Sequence, residues 1–161
     1  MGSGKTTAGR RLAAALGWEF LDLDRLISEK TGMSIPEIFS KHGEEWFRSL
    51  ESEILRGIAP SGGAVLATGG GAPCSGDNMD FMLSNGLTVY LKLTPEQLRK
   101  RLESARQERP LIKGMKGDEL LEFIRSKLGE REKFYSRASI TIDGFNTDIP
   151  GLTKVIRELF F

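Results

Sequence analysis

The sequence predicts an α/β fold with a mainly parallel sheet flanked by helices. Three observations carry that prediction. Short aliphatic stretches alternate along the chain with longer stretches of helical periodicity. Two of the aliphatic stretches end in residues suited to a site: Asp22 and Asp24 in one case, Gly69-Gly70-Gly71 in the other. Finally, Gly4-Lys5-Thr6 directly precedes the first helical stretch. It is the end of the pattern G-x-x-x-x-G-K-[ST], in which a glycine loop and a helix N-terminus bind phosphate.

In chain order, residues 6–16 make the first helix, with Leu12, Ala13 and Leu16 on one face and Gly17 as its stop. A strand follows at 19–23. Helical spacing then recurs over 25–59, broken near Gly32 and Gly43. A short apolar strand at 64–68 runs into the three glycines, followed by a helix at 78–83, a strand at 88–93 and a helix at 95–104. Residues 105–117 are charged, contain Pro110, Gly114 and Gly117, and lack a period, which predicts a mobile loop. A long helix at 118–136 turns Leu120, Leu121, Ile124 and Leu128 inward. A strand at 139–143 and a helix at 152–159, with Leu152, Val155, Ile156 and Leu159 on one face, close the chain.

A length of 161 residues suits one domain with its own core. Lys plus Arg number 23 and Asp plus Glu 22, a net charge of +1, which argues against a nucleic-acid partner but leaves room for a local basic pocket. Cys74 is the only cysteine, so no internal disulfide framework is expected, nor a cysteine-based metal site. That usage fits a reducing cytoplasm. No apolar run reaches the roughly 18 residues that span a membrane, and no signal peptide is visible, so no membrane partner is expected.

The phosphate loop has a physical logic. Gly2, Ser3 and Gly4 let successive backbone N–H groups curl around a polyphosphate, and the helix that carries Thr6 and Thr7 points its positive end at the anion. Lys5 would sit on the β- and γ-phosphates of ATP, and the Thr6 hydroxyl would ligate Mg²⁺. The pattern's first glycine, however, falls before Met1, and a buried strand should precede it. In doubly wound sheets the strand feeding such a loop is central and covered on both faces. The expected fold therefore lacks its first, central strand. Losing about four buried aliphatic side chains forfeits roughly 6–12 kcal/mol, comparable to a domain's whole net stability of about 5–15 kcal/mol.

A second group of residues suits a small acceptor. Asp22 and Asp24 stand two apart, which on a strand places both carboxylates on one side. One can hold Mg²⁺ through water while the other accepts a hydrogen bond or proton from an attacking hydroxyl. Arg48 and Glu51 stand one helical turn apart, either as a surface ion pair or as an arginine oriented to grip a carboxylate. Gly69, Gly70 and Gly71 suggest close approach of ligand to bare backbone, or a plain turn. Arg109, in the expected loop, can close over a transferring phosphate. Arg131, one turn before Tyr135, is a second anion ligand or a solvated side chain. His42, the only histidine, has no partner pattern and is given no catalytic role.

Together the segments Gly2–Thr6, Phe20–Asp24, Gly32–Phe39, Gly43–Arg48 with Glu51, Thr68–Gly71, Arg109–Ile112 and Arg131 to Tyr135 resemble shikimate kinase, in order and spacing, along almost the whole chain. The resemblance implies a P-loop, nucleoside-monophosphate-kinase-like domain over 1–161, a five-stranded parallel sheet when complete, an acceptor-binding segment near 25–55 and a lid near 105–117. It implies transfer of the ATP γ-phosphate to the 3-hydroxyl of shikimate. Asp24 would bind the shikimate hydroxyls and act as base or orienter, and Asp22 would hold Mg²⁺ through water. Arg48 and Arg131 would bind the carboxylate, with Gly70 and Gly71 supplying backbone contacts. Arg109 would stabilise the transferring phosphate, and Arg101 matches the family's adenine-stacking arginine. A monomer is expected. Two other readings stand beside this one: another small-acceptor P-loop kinase such as a gluconate kinase, disfavoured by Asp22, Asp24, Arg48 and Gly69–Gly71 together, and a truncated, inactive binding protein.

The absent strand yields a stability prediction. A chain extended upstream by about ten residues, two loop positions plus a strand with a short lead-in, is expected to show a markedly higher urea midpoint and tighter ATP binding than the 161-residue chain. Equal midpoints and affinities would overturn the expectation.

Overall fold

A computed structural model of the chain describes residues 2–104, 112 and 114–160. Helix α1 (Lys5–Leu16) starts after Gly4, whose φ of 82° lies in the left-handed region that glycine enters freely. It stops at Gly17, whose N–H reaches back to the carbonyls of Ala13 and Ala14. Strand β1 (Glu19–Asp22) follows. It ends one residue sooner than expected, because the Asp22 carboxylate accepts the N–H groups of Asp24 and Arg25 at 3.1 and 3.4 Å and so caps helix α2 (Leu23–Thr31). Asp24 therefore stands in the first turn of a helix, and the strand argument that put it beside Asp22 is corrected: a cap, not pleat alternation, sets their relation.

Helix α3 (Ile35–Gly57) is opened by a capping box between Ser34 and Glu37. The break expected near Gly43 is a kink inside this helix, where φ is 82° and ψ 174°. Strand β2 (Ala64–Ala67), a single 3₁₀ turn at Ala72–Cys74 and helix α4 (Asn78–Asn85) lead to strand β3 (Val89–Lys92). Helix α5 (Pro95–Glu103) carries a second capping box, Thr94 with Gln97. Most of the loop expected at 105–117 lies outside the described residues. Helix α6 (Gly117–Tyr135), strand β4 (Ile140–Asp143) and helix α7 (Ile149–Phe160) complete the chain. Helix α7 begins three residues earlier than its periodicity suggested, with Pro150 in its first turn, where a missing N–H is no loss.

The strands pair in parallel as β1 with β2 and β3 with β4, registering Phe20 with Val65 and Tyr90 with Thr141. Among the described residues no strand joins the two pairs. Between β2 and β3 lies a cavity of about 990 Å³, where the central strand was expected. The apolar side chains form three clusters. One joins α2 and α3 around Leu23, Ile27, Ile38 and Phe47, a second joins α5 and α6 around Leu98 and Ile124, and a third joins α1 and α7 around Leu12, Leu152 and Ile156. All four strands end toward the Gly2–Lys5 loop. Asp22, at the end of β1, meets Thr6, and Gly144, just past β4, shares the Arg101 guanidinium with Ser3. This common direction gathers the predicted site residues at one edge of the sheet.

Candidate active site

The nucleotide side starts at the N-terminus of α1. No side chain caps it and no acidic residue stands in its first turn, which leaves its N–H groups and positive dipole end available to an anion. The Lys5 ammonium donates to the Ser3 hydroxyl at 3.2 Å, which folds it back along the loop. The Thr6 hydroxyl donates to the second Asp22 carboxylate oxygen at 3.0 Å. Hydroxyl and carboxylate thus converge beside Lys5 as hard oxygen donors of the kind Mg²⁺ takes when phosphates supply most of its remaining ligands. Among the described residues no group of three or more His, Cys, Asp or Glu side chains could hold a metal ion by itself.

Arg101 ties the loop to the far end of the sheet. It donates to the Ser3 carbonyl at 2.9 Å and the Gly144 carbonyl at 3.0 Å, and its guanidinium lies 5.7 Å from the Phe145 ring centre. A Cβ at Gly4 would stand 3.1 Å from the same guanidinium, a second reason for glycine there. Arg101, Thr7, Arg11, Phe145 and Thr147 line a pocket of about 230 Å³ against the loop. Arg11, Phe145 and Thr147 were not singled out in the sequence: only the fold brings the turn after β4 to α1, and no local pattern marks it.

The acceptor side is built on a buried charge pair. Arg48 donates to Glu51 at 2.7 Å; the Arg48 side chain is 21% exposed and that of Glu51 0%. The surface-pair alternative is thereby excluded. Burial holds the Glu51 carboxyl above the ordinary glutamate range; the Arg48 hydrogen bond and charge oppose this, and the charge of Asp24 adds to it. The three glycines pack against the same group. A Cβ at Gly69 would sit 3.1 Å from Glu51 Oε1 and 3.4 Å from Asp24 Oδ1, and one at Gly71 only 2.3 Å from Arg48 Nη2. Arg131 faces this cluster from α6, close enough for its charge to act on Glu51 and Cys74 and to hydrogen bond with Tyr135. Tyr135 donates to the Gly70 carbonyl at 2.5 Å, a contact that its spacing from Arg131 did not reveal. Arg109 lies outside the described residues. His42 stacks on Trp46 at 4.2 Å between ring centres.

The family model described as shikimate kinase matches residues 1–159. The chain belongs to the shikimate kinase family. Shikimate kinase of Parabacteroides distasonis is 47% identical over 143 residues, covering 89% of this chain and 83% of the relative. Among solved structures, shikimate kinase from Bacteroides thetaiotaomicron superposes with a TM-score of 0.89 at 39% identity, covering 99% of this chain and 93% of that one. Shikimate kinase from Acinetobacter baumannii, solved in complex with shikimate, gives a TM-score of 0.84 at 38% identity, covering 99% and 87%. As a member of the shikimate kinase family the chain is an ATP-dependent phosphotransferase.

The Glu51 environment predicts a pH effect. Between the ordinary glutamate value and the raised one, the folded chain binds the Glu51 proton more tightly than the unfolded chain does. Its contribution to stability therefore falls as pH rises from the ordinary glutamate value through the elevated one. Glu51→Gln removes that component, so the stability difference between variant and parent should shift in favour of the variant as pH rises from about 4. Urea midpoints across a pH series check this, and parallel curves for the two proteins would refute it.

Proposed function

We propose that this chain transfers the γ-phosphate of ATP to the 3-hydroxyl of shikimate, with the residues above in definite roles. The observation that carries this reading is the convergence of Arg48, Glu51, Asp24 and Gly69–Gly71 on one spot, next to the Lys5–Thr6–Asp22 loop. A small carboxylate-bearing polyol fits such a spot. Arg48, aligned by a buried Glu51, and Arg131 grip the carboxylate, while Asp24 addresses the hydroxyls at the opposite end. The glycine backbone lets the ring lie close.

The reacting hydroxyl oxygen attacks the γ-phosphorus, the bond from that phosphorus to the ADP oxygen breaks, and the hydroxyl proton passes to Asp24 or to the transferred phosphoryl oxygens. Little covalent chemistry is required of the protein, because positioning and charge stabilisation dominate phosphoryl transfer. The α1 N-terminus and Lys5 meet the phosphate charge, and the resemblance assigns stabilisation of the transferring phosphate to Arg109, which lies outside the described residues. Thr6 and, through water, Asp22 would hold Mg²⁺, which would offset phosphate charge. Arg101 and the turn at Gly144–Thr147 flank the base.

A coupled ADP-release assay with ATP and Mg²⁺ tests the reading. Turnover is expected with shikimate and none with gluconate; the reverse preference would sink it. The carboxylate grip is tested separately. Arg48→Ala should raise the KM for shikimate roughly 10–150-fold, the value of a charge-assisted contact worth about 1.5–3 kcal/mol. It also strands the buried Glu51, so loss of fold must be told apart from loss of contact. Gly71→Ala perturbs the same grip without removing the charge: φ at −88° is open to alanine, and the new methyl forces the Arg48 guanidinium to shift; an unchanged urea midpoint in either variant identifies loss of contact and not of fold. Gly71→Ala should raise the shikimate KM in the same direction and leave the KM for ATP unchanged. An unaltered shikimate KM in both variants would remove Arg48 from the acceptor site.

A further inference from the structure

Two arginines flank the acceptor glycines, and they are oriented by different means. Arg48 is aligned by the buried carboxylate of Glu51 at 2.7 Å. Arg131 meets instead a phenol one helical turn further along α6. The Tyr135 hydroxyl has one proton to donate and lone pairs that accept. It gives the proton to the Gly70 carbonyl at 2.5 Å and receives a hydrogen bond from Arg131. Gly71, next in the chain, lies against the Arg48 guanidinium, which a Cβ at that position would enter. The glycine turn thus touches both arginine arrangements, and the charges of both arginines act on Glu51 and on Cys74.

The phenol is itself fixed. Its ring packs on Tyr90, with 5.1 Å between centres and a tilt of 43°. The Tyr90 hydroxyl donates to Glu132 at 3.0 Å, and Glu132 also accepts from Lys92 at 3.1 Å, so strand β3 anchors the pair of rings. Burial pushes the Tyr135 hydroxyl above its ordinary range, which keeps it a neutral donor near pH 7. A neutral partner orients a guanidinium without cancelling its charge. Tyr135 therefore leaves the Arg131 charge to an incoming anion, whereas Glu51 engages that of Arg48.

We propose that Tyr135 is a positioning residue for the acceptor carboxylate: its hydroxyl, bridging Arg131 and the Gly70 carbonyl, holds the Arg131 guanidinium at the glycine turn in the orientation that grips the anion. Tyr135 acts through Arg131 and needs no contact of its own with the acceptor. The inference rests on the shikimate reading above and adds to it the residue that sets the second arginine.

The test is calorimetric binding of shikimate and of its methyl ester, which lacks the negative charge, to the 161-residue chain and to Tyr135→Phe. The variant keeps the ring against Tyr90 and removes only the bridging oxygen. The parent should prefer shikimate over the ester. Tyr135→Phe should shrink that preference roughly 2–12-fold, the value of one ordinary hydrogen bond, mainly by weakening shikimate. A merely loosened fold would weaken both ligands alike. In an Arg131→Ala background the tyrosine substitution should change the preference no further. An unchanged preference in Tyr135→Phe, an equal effect with and without Arg131, or a Tyr135→Phe chain that does not fold would overturn the proposal and leave the shikimate reading standing. A parent chain that binds neither ligand, or both equally, would overturn that reading and the proposal with it.

Discussion

A carboxylate cut off from water organises the acceptor half of this protein. Glu51 is fully buried within helix α3, and one of its oxygens has no hydrogen-bond partner among the described residues. Ionised, such a group is tolerable only beside a positive charge, and Arg48 supplies it one turn away. The pairing fixes the guanidinium in one orientation, and the space it occupies dictates the neighbouring chain. A methyl at Gly71 would enter the guanidinium and force it aside, and one at Gly69 would crowd the carboxylate. The triple glycine is thus a consequence of the buried pair as much as a surface for ligand. A pair of this kind contributes little net stability, but it fixes a geometry, and geometry is what a carboxylate grip requires.

Asp22 serves the other half by a comparable economy of atoms. One carboxylate oxygen caps α2 through two N–H groups, and the other accepts from Thr6 at the start of α1. A single side chain therefore ends a strand, starts a helix and joins the phosphate loop to the acceptor segment. Because the cap requires Asp22 to remain extended while the chain turns helical at Leu23, Asp24 is carried on the first turn of α2 toward Glu51 and Gly69. Asp22 and Asp24 stand together where β1 gives way to α2. They do so by helix capping and not by strand pleat.

This division marks what could be read in the sequence. Elements with strong periodicity and punctuation were legible: α1 between its glycines, β2 running into Gly69, α5 behind its Thr94 cap. So was the pairing of Arg48 with Glu51, since one helical turn separates them. Its burial was not, because a charged pair on an amphipathic helix ordinarily faces water, and only the packing of α2, the glycine turn and α6 around α3 closes this one off. Contacts between elements far apart in sequence were equally hidden. Arg101 meets Ser3, and Tyr135 meets Gly70, across dozens of residues with no spacing rule to announce them.

Those long-range contacts matter because the sheet is divided. β1 and β2 lead to Asp22 and the three glycines; β4 leads to the turn that lines the smaller pocket. Relative placement of the two halves rests on whatever crosses between them. The apolar contact of α1 with α7 is one such tie, and Arg157, which donates to the Ala15 carbonyl at 2.9 Å, reinforces it. Arg101 is a second, joining Ser3 to Gly144. Tyr135 is a third: its helix is held to β3 by Glu132, which accepts from the Tyr90 hydroxyl at 3.0 Å and pairs with Lys92, and its own hydroxyl reaches across to Gly70. Two of these three ties end on the phosphate loop or the glycine turn themselves. The phosphate loop and the glycine turn are therefore also places where contacts between the two strand pairs end.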